Sequence, residues 1–160
     1  MKKIFFVRHA KSEWNNSAIK DIERPLNDRG YSNANQMSQQ LKEKPDLIVS
    51  SPAIRAITTA LIFARNLQYD ANKILIRKEL YEASEKDYLS VIHQLDDQYS
   101  TIMLFAHNPT ISNVAESFAK SLPMEMPTCA IAGINFECNK WSDIKTKNGE
   151  LFLFEYPKKN

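Results

Sequence analysis

The sequence predicts an α/β fold: a three-layer α/β/α sandwich whose sheet is mostly parallel, with an antiparallel edge strand, in a single domain spanning residues 1–160. Three observations point there. Short apolar runs alternate with stretches of helical spacing through most of the chain. The last two apolar runs follow one another with no helical stretch between them, which suggests an antiparallel pairing at one edge. No internal repeat, low-complexity segment or Gly/Ser linker divides the sequence.

Lys3 to Val7 reads as the first strand, because three apolar residues in a row suit a strand buried on both faces. Residues of about 28–43 place Tyr31, Ala34, Met37 and Leu41 at helical spacing. Leu47 to Val49 is a short apolar strand. Ile54, Ile57, Leu61 and Ala64 then mark the inner face of a second helix. Ile74 to Ile76 reads as another short strand. Ser84-x-x-Asp87 is a helix start with an acid three residues after the cap, and Leu89, Ile92 and Leu95 supply that helix with an inner face. Thr101 to Ala106 is a buried strand, and the helix after it turns Ile111, Val114, Ala115 and Phe118 inward. Ile131 to Phe136 and Leu151 to Tyr156 are the closing strands, joined by a polar turn holding Asn148-Gly149.

Bulk properties narrow the function. With 160 residues, 43% hydrophobic and 25% charged, the chain has material for one core without disulfides or a structural metal. A net charge of +2 argues against a nucleic-acid binder, which needs a basic patch or stripe. The basic tail Tyr156-Pro-Lys-Lys-Asn reads as solvated. No apolar run is long enough to span a bilayer, and Ile4 to Val7 is too short for the core of a signal peptide, so the cytoplasm is the expected location and no membrane partner is expected. Cys129 and Cys138 form neither CxxC nor a zinc pattern and read as reduced thiols.

The chemistry collects where strands end. The first strand runs into Arg8-His9, the second into Ser50-Ser51-Pro52 and then Arg55, and the strand over 101–106 into His107-Asn108-Pro109. In a parallel sheet, ligands bind beyond the carboxyl ends of the strands. Ser51-Pro52 and Asn108-Pro109 each place an N-cap residue before a proline, so each junction is expected to open a helix whose free N–H groups favour an anion. Of the three histidines, His9 and His107 follow strands; His93 lies at the edge of an apolar helix face and reads as structural. Two arginines, two histidines and two helix starts favour a phosphoryl group, because arginine matches phosphate oxygens with a fixed fork of donors and a histidine nitrogen can attack phosphorus. Nearby arginines are expected to keep His9 neutral, the form that can attack. A metal held by His9, His107 and a carboxylate is disfavoured by the same arginines, so neither metal nor cofactor is expected.

At these residues the sequence resembles the histidine phosphatase superfamily, with its phosphoglycerate-mutase-like fold, and within it the small SixA-like phosphohistidine phosphatases. The segments "VRHAKSEWN", "RPLNDRGYSNA", "SSPAIRAITTA" and "AHNPTIS" carry the resemblance, with Ala10 where many members have glycine. It implies a single histidine-phosphatase domain over 1–160, with His9 as the phosphorylated nucleophile and Arg8, Arg55 and His107 on the phosphoryl oxygens. Ser12 and Asn15 match positions that line the pocket in relatives, with a capping residue and a turn as their respective alternatives. Asn108 belongs to the His-Asn-Pro form typical of the small group. Glu82, in "KELYEAS", fits the position from which many relatives protonate the leaving oxygen, and a solvated loop acid is its alternative. Trp14 reads as a packed aromatic. The expected partner is a phosphorylated substrate, a phosphohistidine-bearing protein foremost, met by a monomer or weak dimer. A small-molecule phosphomonoester phosphatase and a non-catalytic phospho-ligand binding module are the competing readings. A mutase would need a longer chain and groups that reorient a carboxylated substrate.

Overall fold

The computed structural model describes residues 1–158, and the lysine and asparagine that close the predicted solvated tail lie outside the described residues. Six strands and four α-helices alternate. They are β1 (Lys2–Arg8), α1 (Asp28–Gln40), β2 (Leu47–Ser50), α2 (Ile54–Asn66), β3 (Leu75–Ile76), α3 (Glu85–His93), β4 (Thr101–Ala106), α4 (Thr110–Ala119), β5 (Ile131–Phe136) and β6 (Gly149–Glu155). The sheet order is β3-β2-β4-β1-β5-β6, with β3, β2, β4 and β1 mutually parallel. The antiparallel pairings lie at the expected edge. The strand that runs against the rest is β5, one place in from the rim, and β6 covers it.

Strand alternation sorts the core into two halves. Ile4 and Phe6 of β1, with Ile102 and Leu104 of β4, face α3 and α4 and pack with Val91, Ile92, Val114 and Phe118. Phe5 and Val7, with Met103 and Phe105, face α1 and α2 and pack with Ala34, Met37, Ala60 and Phe63. β1 and β4 are buried on both sides, which is why they read as unbroken apolar runs.

The helix faces depart from the simplest apolar stripe in two places. In α2 the inner face is Ala56, Thr59, Ala60 and Phe63, whereas Ile54 and Leu61 are exposed and Ile57 is half-buried. Arg55 is buried on α2 together with these residues. In α1, Tyr31 is exposed while Ala34 and Met37 are buried. The Ser84 helix start is a full capping box, Ser84 and Asp87 each bonding the other's backbone N–H. His93 is structural, its Nε2 lying 2.8 Å from the carbonyl of Ile144.

Gly30 ties the fold to the segment behind the first strand. A Cβ built there would lie 2.1 Å from the carbonyl oxygen of Lys11, a backbone atom that cannot step aside. Gly30→Ala is therefore expected to cost roughly 1–3 kcal/mol in urea melts, and to reduce whatever activity His9 supports, because Lys11 is two residues beyond it.

Candidate active site

β1 and β4 are neighbours, so their carboxyl ends deliver His9 and His107 side by side, with ring centroids 5.2 Å apart. The turn after β1 is held firmly. His9 N–H donates to the Ala106 carbonyl, and the N–H of Cys129 donates to the carbonyls of Arg8 and His9. Cys129 adopts a positive φ of 63° to do so. Its thiol is buried and pushed up to about 12 by that burial, so it stays protonated at neutral pH.

His9 is held in one tautomer and one charge state. Its Nδ1 lies 2.8 Å from the carbonyl of Ala10. A carbonyl only accepts, so Nδ1 carries the proton and Nε2 keeps its lone pair. Burial pushes its pKa down to about 3; the Ala10 carbonyl opposes that shift, and His107, Arg55 and Arg8 add to it. The sequence reading assigned the neutral state to the arginines, but burial is the larger cause. The pKa of His107 falls to about 4, chiefly through burial and then Arg55, and its Nε2 shares a 2.7 Å hydrogen bond with Ser51 Oγ.

The arginines arrive from two directions. Arg8 Nη1 donates to the Met126 carbonyl at 3.0 Å. Arg55 donates from Nη1 to the Asp21 carbonyl at 2.7 Å and from Nη2 to Asp21 Oδ2 at 3.0 Å. Among the described residues, the buried side-chain polar atoms without a partner are Arg8 Nε, Arg55 Nε, His107 Nδ1 and Asn135 Oδ1. Three of the four belong to this site. A buried donor left unsatisfied costs about 1–3 kcal/mol, and that cost is recovered when an anion with several acceptor oxygens binds.

A cleft of about 330 Å³ is lined by Asp21, Arg55, Tyr81, Glu82, His107 and Asn108 among others, and Arg8 and His9 lie behind this lining rather than in it. Glu82 therefore stands at the mouth, exposed, and at a φ of 50° that non-glycine residues rarely adopt. Asn108 borders the cleft, but its side chain is occupied elsewhere: Nδ2 donates to the Met126 carbonyl at 2.8 Å and to Glu125 at 3.2 Å, and Oδ1 accepts from Ser112 Oγ. Ser12 is buried and bonded to Arg24 through its hydroxyl. Asn15 is exposed, and its N–H bonds the Glu13 carboxylate. Neither Ser12 nor Asn15 lines the cleft. Trp14 is not packed in the core. It is 75% exposed, with the Arg24 guanidinium 3.6 Å above its ring.

Neither expected side-chain cap forms. The N-cap of α2 is Ala53 and that of α4 is Pro109, and neither gives a capping bond. Each proline falls before the first helical residue, so Ser51 and Asn108 sit too early to cap. Ser51 Oγ instead accepts from the Ala53 N–H and meets His107. Sequence reasoning missed Asp21, Arg24 and Tyr81. Asp21 Oδ2 accepts from Tyr81 Oη at 2.6 Å, and Tyr81 packs edge-on against His107 at 5.6 Å. Arg24 opens the segment "RPLNDRGYSNA" and Tyr81 lies in "KELYEAS", but for Asp21 the signal was only an acid three residues before Arg24, within reach of it in a turn. Among the described residues no group of three His, Cys, Asp or Glu is arranged to hold a metal, and no helix is long and apolar enough to cross a membrane.

The profile of the histidine phosphatase superfamily (branch 1) matches residues 4–120. The chain belongs to the histidine phosphatase superfamily. Its fold is phosphoglycerate-mutase-like, as the resemblance implied, and its solved neighbours include SixA proteins. A protein of Agrobacterium tumefaciens, provisionally named phosphohistidine phosphatase SixA, superposes with a TM-score of 0.82 at 27% identity, covering 98% of this chain and 99% of that one. A protein histidine phosphatase SixA complexed with tungstate gives a TM-score of 0.81 at 19% identity, covering 96% of each chain. Among sequence relatives, an uncharacterised protein of Mycobacterium leprae is 26% identical over 95% of this chain and all of its own length. A protein of Hydrogenobacter thermophilus, provisionally named phosphoserine phosphatase 2, is 31% identical over 71% of this chain and 52% of its own.

The two histidines make this superfamily member acid-sensitive. Both have folded pKa values depressed below the ordinary 6.5, to about 3 and about 4. Well above pH 6.5 both are neutral whether folded or not, and their contribution no longer changes with pH. Below it the unfolded chain binds protons that the folded chain refuses, so stability falls as pH drops from 6.5 toward 4. Asp21 extends the loss at lower pH. Bonded by Tyr81 and Arg24 and beside Arg55, its pKa is lowered from 3.8 to about 2, so its contribution is lost as pH falls through that window. Thermal melts between pH 7.5 and 4.5 should show Tm decreasing, and His9→Gln should flatten the decrease.

Proposed function

We propose that this chain is a metal-independent phosphatase that works through a phosphohistidine on His9. The observation that carries the reading is the state of His9: buried, neutral and tied at Nδ1, its ring 5.2 Å from that of His107, in a site where Arg8 Nε, Arg55 Nε and His107 Nδ1 have no partner. Nε2 attacks phosphorus in line and the bond to the leaving group breaks. Arg8, Arg55 and His107 hold the phosphoryl oxygens as charge redistributes. Water then attacks the phosphorus of phospho-His9, returning a neutral histidine and inorganic phosphate. An oxygen leaving group needs a proton as its bond breaks, and we assign that role to Glu82, an exposed acid that lines the cleft. A nitrogen leaving group needs less help, so Glu82 is dispensable for a phosphoramidate.

The substrate we propose is a phosphohistidine on a protein. The likeness to the Agrobacterium tumefaciens protein, 27% identical over nearly the whole of both chains, supports it. The 31% identity to the Hydrogenobacter thermophilus protein supports the second reading, a small phosphomonoester. Rates measured side by side on a histidine-phosphorylated carrier protein and on a panel of phosphomonoesters decide between them. Faster turnover of any phosphomonoester rejects the protein substrate. Rapid quench followed by mass spectrometry tests the common step: an acid-labile phosphoryl group should map to His9, and its absence during turnover rejects the covalent route.

A further inference from the structure

Asp21 lies outside every motif that carries the family resemblance, yet it touches more of the site than any other acid. Its carbonyl and Oδ2 engage both terminal nitrogens of Arg55, at 2.7 Å and 3.0 Å. Oδ2 also accepts from Tyr81 Oη at 2.6 Å, and Oδ1 accepts from Arg24 Nη2 at 3.1 Å. Arg55 is thus gripped at two nitrogens, and the one it retains without a partner is Nε. The Asp21 side chain is 52% exposed and lines the cleft, so it meets whatever enters.

We propose that Asp21 is a positioning residue acting through Arg55. It fixes the guanidinium by its two terminal nitrogens, reserves Nε for the phosphoryl group, and opposes tight binding of the ground-state anion. The inference rests on the phospho-His9 reading. The grip confines a side chain that would otherwise lose several rotors' worth of freedom each time substrate bound, and misplacing such a group costs far more in the transition state than in the ground state. The charge works the other way on the ground state. Arg8, Arg24 and Arg55 bring three positive charges, and without a carboxylate among them a released phosphate would be held tightly. Asp21 is not the proton donor, because it stays ionised to about pH 2.

The two effects have opposite signs in kinetics, and that separates positioning from a mere strut. Asp21→Asn keeps the shape and an acceptor for Tyr81; Asp21→Ala removes both. In each, kcat should fall about tenfold or more. Inorganic phosphate as a competitive inhibitor, and tungstate measured by calorimetry, should bind as tightly as to the wild type or more tightly. In an Arg55→Ala background, Asp21→Asn should change kcat/KM by less than about twofold, because its target is gone. Weakened tungstate binding with a lowered Tm would make Asp21 a strut and overturn the proposal. So would an undiminished kcat, or a full tenfold loss on top of Arg55→Ala. A wild type with neither turnover nor phosphoenzyme takes down the phosphatase reading and this one with it, a result that no Asp21 variant can imitate.

Discussion

His9→Ala should be inactive, with turnover lowered by at least about 10⁴-fold and no phosphoenzyme trapped, while its Tm stays close to that of the wild type. Loss of a covalent nucleophile removes the route and not merely a contact, and the residual rate then reflects binding and charge stabilisation alone. The fold should tolerate the change because His9 has only one side-chain hydrogen bond, to Ala10, and most of the turn is held by backbone bonds to Ala106 and Cys129. Steady-state rates on an aryl phosphate and on a histidine-phosphorylated protein check the first part, and thermal melts the second. Tungstate binding should persist in His9→Ala, because Arg8 and Arg55 remain. Turnover at the wild-type rate would end the case for His9.

Arg8→Ala should lose about 10²–10³-fold in kcat/KM, the usual scale for removing one preorganised donor from a developing oxyanion. Arg8→Lys should recover little, because a lysine cannot hold the Met126 carbonyl with one nitrogen and present a second donor in the same plane. The same substitution should loosen the segment around Met126, where Ser112 Oγ and Asn108 also bind. Proteolysis in that segment should quicken in Arg8→Ala. Equal activity in the lysine and native enzymes would show that Arg8 acts as a point charge only.

The neutral state of His9 has a consequence for the whole site. An imidazole held near pKa 3 is almost entirely unprotonated at pH 7, so activity should not fall on the acid side until well below pH 6 on account of this residue. Instability arrives first. The burial that keeps His9 neutral is also what makes the folded chain refuse protons as the unfolded one accepts them. Readiness and acid lability are thus one property of the same burial.

Much of this was legible in the chain. β4 matched its apolar run residue for residue, because a strand buried on both faces has no polar positions to blur its ends. That Arg8, His9, Arg55 and His107 come together was legible for a related reason. They follow apolar runs at places where a parallel sheet must expose something, and their residue types suit one ligand. The inner face of α2 was not legible, because Ile54 and Leu61 are more apolar than Ala56 and Thr59. What decided it was which face of the helix is covered in the folded chain, a tertiary contact that no local pattern encodes.

Residue order alone determined the fold class, the alternation of layers and the charged ends of β1, β2 and β4, since each depends on local periodicity and on where apolar runs stop. Only the tertiary structure decided which tautomer His9 adopts, that Ser51 meets His107, that Ser12 and Asn15 stand apart from the cleft, and that Asp21 grips Arg55 from 34 residues away in the chain. The reason is physical: hydrogen bonds and burial depend on distances between segments, and those distances exist only after the sheet has brought its strand ends together.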